Sequence, residues 1–333
     1  MLKKLFLSLA SIIMVLSIVI ACAADGTNPN DGINNGGGGG NTSSSRDEAL
    51  MKKDPNTLFI ETFSVPGKPD MKKWTYCYRE DNGVGGAVWN RFMEQEIGYK
   101  FLDIITNEAE MGGYLELRAY RDNEASTFRT SGVHTKREYG VGTRTTVRAK
   151  LSDTKNKAGF PAIWYYPYDP LTDKDWPAEG EIDIMEWITP NPNKAWTTLH
   201  FNDNNNQHKN PNTSVSGVND NIDMAAWHTY TCDILTDKVV LYVDGKLAMK
   251  VTKQDKTMPP NNVSVAWDKN WPYNDVKYNL ILNASFHNGT WGGDPTKFPN
   301  EVDYKMYIDF VKIEKIDPNT DPGTPTLMTE DQL

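Results

Sequence analysis

Short stretches of alternating apolar and polar residues recur along the chain. Tyr114 to Ala119, Thr143 to Ala149, Thr229 to Ile234 and Tyr304 to Ile313 each repeat with period two and are rich in β-branched and aromatic side chains. That period sends successive side chains to opposite sides of a strand and predicts half-buried β-structure. Between Val239 and Lys250, Asp244-Gly245 separates two apolar runs, a strong hairpin signal. Gly, Pro and Asn punctuate the strands, long helical periodicity is hard to find, and no fixed-length repeat occurs. The pattern predicts an all-β fold, a sandwich or barrel of many short strands, and argues against a propeller or solenoid.

The two ends depart from this pattern. Lys3 and Lys4 precede an uncharged apolar run from Leu5 to Ala21, which stops at Cys22. This arrangement fits a secretory signal peptide over residues 1–21, and its Ala21-Cys22 ending resembles a bacterial lipobox, in which the cysteine is lipidated. An uncleaved membrane anchor is the alternative. Residues 22–51 are rich in Gly, Asn and Ser, with five glycines from Gly36 to Gly40. Such a segment cannot bury a core and is expected to be a flexible tether; about 22 Gly-rich residues span roughly 25 Å. The expected location is the bacterial cell envelope, lipid-anchored, with the outer membrane as the first expectation. After Ile316 the chain is again polar and proline-rich, so the predicted domain runs from 52 to 316, with a tail over 317–333.

A formal charge of −9 argues against nucleic acid as partner, because phosphate binding needs clustered Lys and Arg. With Cys22 assigned to lipid, Cys77 and Cys232 remain; two buried thiols are expected ahead of one bridge. Ten tryptophans and fifteen tyrosines exceed what a core of this size needs. Aromatic faces near loops suit a ligand with flat apolar faces, such as a sugar ring. Gly83-Val84-Gly85-Gly86 is no phosphate loop, since no Lys-Ser/Thr follows. His200 and His208 lack the spacing of a zinc pair on a helix.

Trp176-Pro177-Ala178-Glu179-Gly180-Glu181-Ile182-Asp183-Ile184-Met185-Glu186-Trp187 holds the densest chemistry. In a strand, Glu181 and Asp183 share one face and Ile182 and Ile184 the other. Glu186 is five residues from Glu181, so a regular strand drives it into the core, where an unpaired charge is costly. A β-bulge near Met185 inserts one extra residue and returns Glu186 to the face of the other two acids. Glycoside hydrolysis needs two carboxyls with different duties, about 5–5.5 Å apart in retaining enzymes. Crowding raises the proton affinity of one of them, as a general acid requires. The competing explanations are a solvated acidic strand or a calcium site, though calcium prefers loop and carbonyl oxygens.

This motif resembles the active-site strand of glycoside hydrolase family 16, in the bulged branch that holds laminarinases, agarases and endo-β-galactosidases. Gly159-Phe160-Pro161-Ala162-Ile163-Trp164, Leu199-His200-Phe201, Trp227-His228-Thr229-Tyr230, Leu241 to Gly245, Tyr278 to Asn283 and Ile308 to Ile313 are similar to further family segments, in order, over most of residues 56 to 316. The resemblance implies a β-jelly-roll sandwich of two antiparallel sheets with a concave substrate cleft. It implies Glu181 as nucleophile, Glu186 as acid/base and Asp183 as the assisting carboxylate. It further implies His200, Trp164 and Trp176 beside the cut, with Asn90, Arg91, Trp271 and Trp291 as weaker assignments to the cleft wall. No cofactor is required; a structural calcium near Asp309 is a loose match to the family's site.

The departures concern substrate. Tyr165-Tyr166 stand where laminarinases commonly carry Met-Leu, and Asn202-Asp203-Asn204-Asn205-Asn206 is an unusually polar loop. The expected activity is a retaining endo-β-glycanase on a β-1,3- or mixed-linkage glucan. An endo-β-1,4-galactosidase on galactan or poly-N-acetyllactosamine of mucin-type O-glycans is the alternative, and a non-catalytic glycan-binding lipoprotein the alternative from another class. A monomer is expected, since a tethered polymer-cutting enzyme has no need to oligomerise.

Overall fold

The computed structural model describes residues 45–77, 102–105, 113–122, 127–152, 159–167, 176–188, 191–213, 219–254, 257–258, 263–264, 266–286, 297 and 303–327. The signal segment, Cys22 and the glycine run lie outside the described residues. The chain divides into units 1–40 and 41–333, and everything described belongs to the second.

A short helix, α1 (Ser45–Lys53), precedes β1 (Thr57–Glu61), β2 (Trp74–Tyr76), β3 (Leu102–Ile105), β4 (Tyr114–Asp122), β5 (Thr127–Arg129), β6 (Ser131–Thr135), β7 (Thr143–Leu151), β8 (Ala162–Tyr166) and β9 (Glu181–Trp187). There follow β10 (Ala195–Asn202), β11 (His208–Lys209), β12 (Asn212–Thr213), β13 (His228–Ile234), β14 (Lys238–Val243), β15 (Lys246–Thr252), β16 (Thr257–Met258), β17 (Val263–Ser264), β18 (Asn279–Ala284) and β19 (Asp303–Lys315). The period-two segments are all strands, and Asp244 and Gly245 (φ 49° and 72°) make the hairpin turn between β14 and β15 that their sequence predicts.

The strands form two large antiparallel sheets. One runs β15-β14-β13-β7-β19-β4-β3, with β1 also on β19 and β5 on β4; the other runs β11-β10-β9-β8-β18-β6-β2, with β12 on β10. Consecutive strands change sheet, as from β6 to β7 and back to β8, so this is the expected β-jelly-roll sandwich. Ile163, Tyr165, Ile182 and Leu199 from the second sheet meet Leu115, Leu117, Val147, Ile308 and Val311 from the first in one core. Period-two alternation then turns the intervening residues of β8, β9 and β10 away from that core.

The domain is longer at both ends than the composition predicts. In α1, Leu50 is buried, and buried Asp47 accepts a hydrogen bond from Thr62 Oγ1 (2.7 Å) and pairs with Lys73 Nζ (2.8 Å). Residues 45–51, expected in the tether, therefore belong to the fold. The tail returns across the first sheet: Arg144 donates to the Gly323 carbonyl (2.7 Å), Thr236 N–H to the Pro318 carbonyl (2.9 Å), and Ile316 packs on Leu235, Val240 and Tyr242. Cys77 and Cys232 are both free and buried, and burial pushes both thiols up.

Candidate active site

Directly paired residues of antiparallel strands share a face, so the registers show what surrounds each carboxylate. On β10, His200 lies opposite Glu181, Thr198 opposite Asp183 and Trp196 opposite Glu186. On β8, Trp164 lies opposite Asp183 and Ala162 opposite Glu186, while Ile163 pairs with Met185. Between Asp183 and Met185 the register slips by one, and Ile184 is the residue that no position of β8 matches. This is the expected bulge, one residue from where the motif placed it. Ile184 and Met185 are both buried in the core, and Glu186 rejoins the face of Glu181 and Asp183.

The neighbours hold each acid differently. Glu181 Oε2 accepts the indole N–H of Trp176 (2.8 Å). Asp183 hydrogen-bonds Glu181, and its Oδ2 lies 3.1 Å from His200 Nε2. Glu186 Oε2 accepts the Thr198 hydroxyl (3.1 Å). Tyr273 donates to the carbonyls of Glu181 (3.2 Å) and His200 (3.1 Å), fastening this end of β9 to β10. Burial raises Asp183 well above the ordinary carboxylate range, and the charge of Glu181 adds to it. Burial also raises Glu186, helped by Asp183 and opposed by His200. Two of the three carboxyls thus hold protons to unusually high pH, and one of these is the predicted acid.

Trp176 reaches Glu181 from a turn that only glycine can close. Gly180 has φ +78°, and a Cβ there would come within 2.7 Å of Pro272 and 2.9 Å of the Tyr278 hydroxyl. Trp176 is 46% exposed, so its ring can both steer Glu181 and meet a ligand. Trp164 is on the carboxylate face but only 8% exposed; its indole N–H bonds Asn283 Oδ1 (2.7 Å) and its ring packs beside Tyr166.

Other expected site residues fall elsewhere. Trp271 is buried against Phe201 and Tyr273 (ring centroids 5.9 and 4.8 Å), so it is core and not cleft wall. Asn90, Arg91 and Trp291 lie outside the described residues. Tyr165 also points inward, bonding Thr145 (2.6 Å), which leaves Tyr166 alone of that pair on the site face. Trp196 and Thr198 were missed; period two along β10 from His200 puts both on the site face.

Single ligand atoms of Glu181, Asp183 and His200 lie within 4.8 Å of one another, the sole such cluster among the described residues. These groups already bond each other and Trp176, which suits shared protons better than an open coordination shell. At Asp309 a guanidinium, that of Arg148, bonds the buried carboxylate and supplies its countercharge. Among the described residues, no cluster of three acidic, histidine or cysteine ligands gathers at Asp309.

Comparison with known proteins agrees with this geometry. A β-glucanase from Rhodothermus marinus is 28% identical over 264 residues, 77% of this chain and 84% of that protein. A glucan endo-1,3-β-glucosidase A1 from Niallia circulans is 26% identical over 262 residues, 74% of this chain and 36% of that protein. Among solved structures, one reported with endo-acting O-glycanases that gut bacteria express to initiate mucin breakdown superposes with TM-score 0.61 at 28% identity, covering 79% of this chain and all of the other. A non-specific endo-β-1,3(4)-glucanase superposes with TM-score 0.57 at 25% identity, covering 78% of this chain and 94% of the other. The model of "Glycosyl hydrolases family 16" matches residues 103–279, from β3 to the start of β18 with the whole carboxylate row between them; this chain is a glycoside hydrolase and belongs to that family.

Proposed function

We propose that the protein is a retaining endo-β-glycanase that cuts internal bonds of a β-1,3- or mixed-linkage β-glucan. The observation that carries this is the Ile184 bulge, which puts Glu181, Asp183 and Glu186 in one row on a sheet face. Glu181 attacks the anomeric carbon as Glu186 gives its proton to the departing glycosidic oxygen. Glu186, now a carboxylate, then takes a proton from water, which displaces Glu181 from the sugar. Asp183 holds a proton toward Glu181, and its hydrogen bond orients the attacking oxygen. Trp176 and Trp196 flank the row and offer faces or edges to sugar rings. The glucan assignment is supported by the Rhodothermus marinus and Niallia circulans relatives.

A second reading, an endo-β-1,4-galactosidase on mucin-type O-glycans, is favoured by the likeness to the O-glycanase structure, which this chain covers end to end. Product analysis on laminarin, mixed-linkage glucan, agarose and mucin O-glycans decides between them, with Glu181→Gln beside the wild type. Short oligosaccharides from a glucan, absent with the variant, are expected. Release from mucin alone transfers the substrate to the second reading, and turnover by Glu181→Gln equal to wild type refutes the mechanism.

The residues 1–22 support a lipid anchor at Cys22 in the cell envelope. Metabolic labelling with a radioactive fatty acid, lost in Cys22→Ala, is the expected outcome; label that persists refutes it. No helix among the described residues is long and apolar enough to cross a membrane.

A further inference from the structure

His208 takes no part in the reaction as written, yet it touches the supports of two of its carboxylates. It stands on β11, the edge strand beside β10, and its Nε2 is 2.9 Å from Nδ1 of His200. The other nitrogen of His200 is the one that faces Asp183. The ring of His208 also meets Trp176 edge-on (centroids 4.7 Å, 62°), the indole that donates to Glu181.

The polar loop before β11 is built to keep it there. The Asp203 carboxylate accepts the backbone N–H groups of Asn205 (2.8 Å) and Gln207 (2.9 Å) and pairs with Lys209 (3.3 Å). Asn204 N–H reaches the Ala266 carbonyl (2.7 Å), and the Asn270 amide bonds the Asp203 carbonyl. The loop therefore serves the site through the placement of His208.

Resting on the glycosidase reading, we propose that His208 is a positioning residue: its Nε2–H donates to His200 Nδ1 and so fixes the tautomer in which His200 presents Nε2–H to Asp183. A neutral imidazole carries one N–H. With His208 donating, His200 Nδ1 must be the bare acceptor, and the proton of His200 sits on Nε2. The His200 N–H is then on the nitrogen 3.1 Å from Asp183 Oδ2, which leaves the proton of Asp183 free to point at Glu181. Without His208, His200 can turn its bare Nε2 to Asp183 and draw that proton away from the nucleophile. The charged groups facing the pair are Glu181, Asp183 and Glu186 from β9 and Lys209 from β11, the last neutralised by Asp203. Burial, with the neighbouring His200 and Lys209, lowers His208 to about 4, so it is the neutral one-proton donor at working pH.

The test pairs His208→Phe, which keeps a ring against Trp176 but has no N–H, with His208→Gln, which keeps a donor. Long-range proton–nitrogen spectra report the His200 tautomer, assigned by loss of its signals in His200→Gln, and thermal midpoints confirm folding. The wild type should show His200 protonated on Nε2. His208→Phe should mix in the Nδ1–H form, lower kcat/KM about tenfold and change the pH profile, and His208→Gln should recover part of each. An Nδ1–H His200 in the wild type, or a tautomer unmoved in folded His208→Phe, overturns the proposal. Should the wild type cut none of the four glycans, the glycanase reading fails, and the spectra still decide the histidine contact.

Discussion

Thr198→Val removes the one hydroxyl among the described residues that donates to Glu186. Thr198 Oγ1 donates to Glu186 Oε2 at 3.1 Å. A donor of this kind stabilises the carboxylate and not the carboxylic acid, so it lowers the pKa of the residue that must begin the reaction protonated. A hydrogen bond to a charged group contributes about 1.5–3 kcal/mol. At 1.36 kcal/mol per pKa unit this is a shift of roughly one to two units. Glu186 keeps partial access to water, so the lower end, about one unit, is expected. Valine preserves the branched shape in a buried strand position, and Thr198→Ser preserves the hydroxyl. The assay is kcat/KM against pH with a soluble oligosaccharide. The alkaline limb should move up by about one unit in Thr198→Val and stay near wild type in Thr198→Ser. A limb that stays put in the valine variant, or moves down, would refute Glu186 as the acid.

Burial raises Glu61 from 4.5 to about 7, against the opposing Lys73 and with the help of Asp47. The folded state binds that proton more tightly, so this stability is full below about pH 4.5 and is lost as pH rises to about 7. Denaturant titrations should show Glu61→Gln gaining on wild type across that window by about 3 kcal/mol; a difference independent of pH contradicts the linkage. Trp176→Phe keeps an aromatic face and loses the N–H on Glu181, so kcat/KM should fall about tenfold, and an unchanged value removes Trp176 from the alignment of the nucleophile. Gly180→Ala places a methyl against Pro272 and Tyr278 and should destabilise by about 1–3 kcal/mol, measured as a lowered unfolding midpoint; an unshifted midpoint shows the turn can relax. Deleting Ile184 leaves the pairings on both sides of β9 in regular register, so the variant should fold, about 2–5 kcal/mol less stable, and retain measurable turnover; complete loss of turnover in a folded variant assigns the bulge itself a catalytic role.

The central machinery was legible because two constraints conflict inside seven residues. Glu181, Asp183 and Glu186 cannot share a face of a regular strand, and only a bulge resolves this. The position of the bulge was harder, since Ile184 and Met185 are equally apolar and the pairing with β8 selects between them. Residues such as Trp271 could not be placed from pattern, because an aromatic beside Pro272 looks the same whether it lines a cleft or packs on Phe201. His208 was weighed only as a zinc partner of His200, because its hydrogen-bonded pairing with that residue exists only once β11 folds back on β10. Helix α1 was absorbed into the tether by its Ser-rich approach, although Asp47-Glu48 near its start and Lys52-Lys53 at its end carry a helix charge pattern. The Asp309 expectation came from resemblance alone, and its pairing with Arg148, far away in sequence, could not be read from pattern.

The returning tail has a practical consequence for solubility. Leu235, Val240 and Tyr242 form a small apolar cluster apart from the main core, and Ile316 closes it as the tail crosses the sheet. Past it, Asp317 to Gly323 stays beside the same sheet through Thr236 and Arg144. A recombinant fragment trimmed at the last strand, Lys315, would keep every catalytic group and uncover this cluster beside the edge hairpin β14–β15. Bare apolar surface next to unpaired strand edges invites self-association. The few polar residues that look expendable at the end of the chain act as a lid on stickiness, and a soluble preparation needs them.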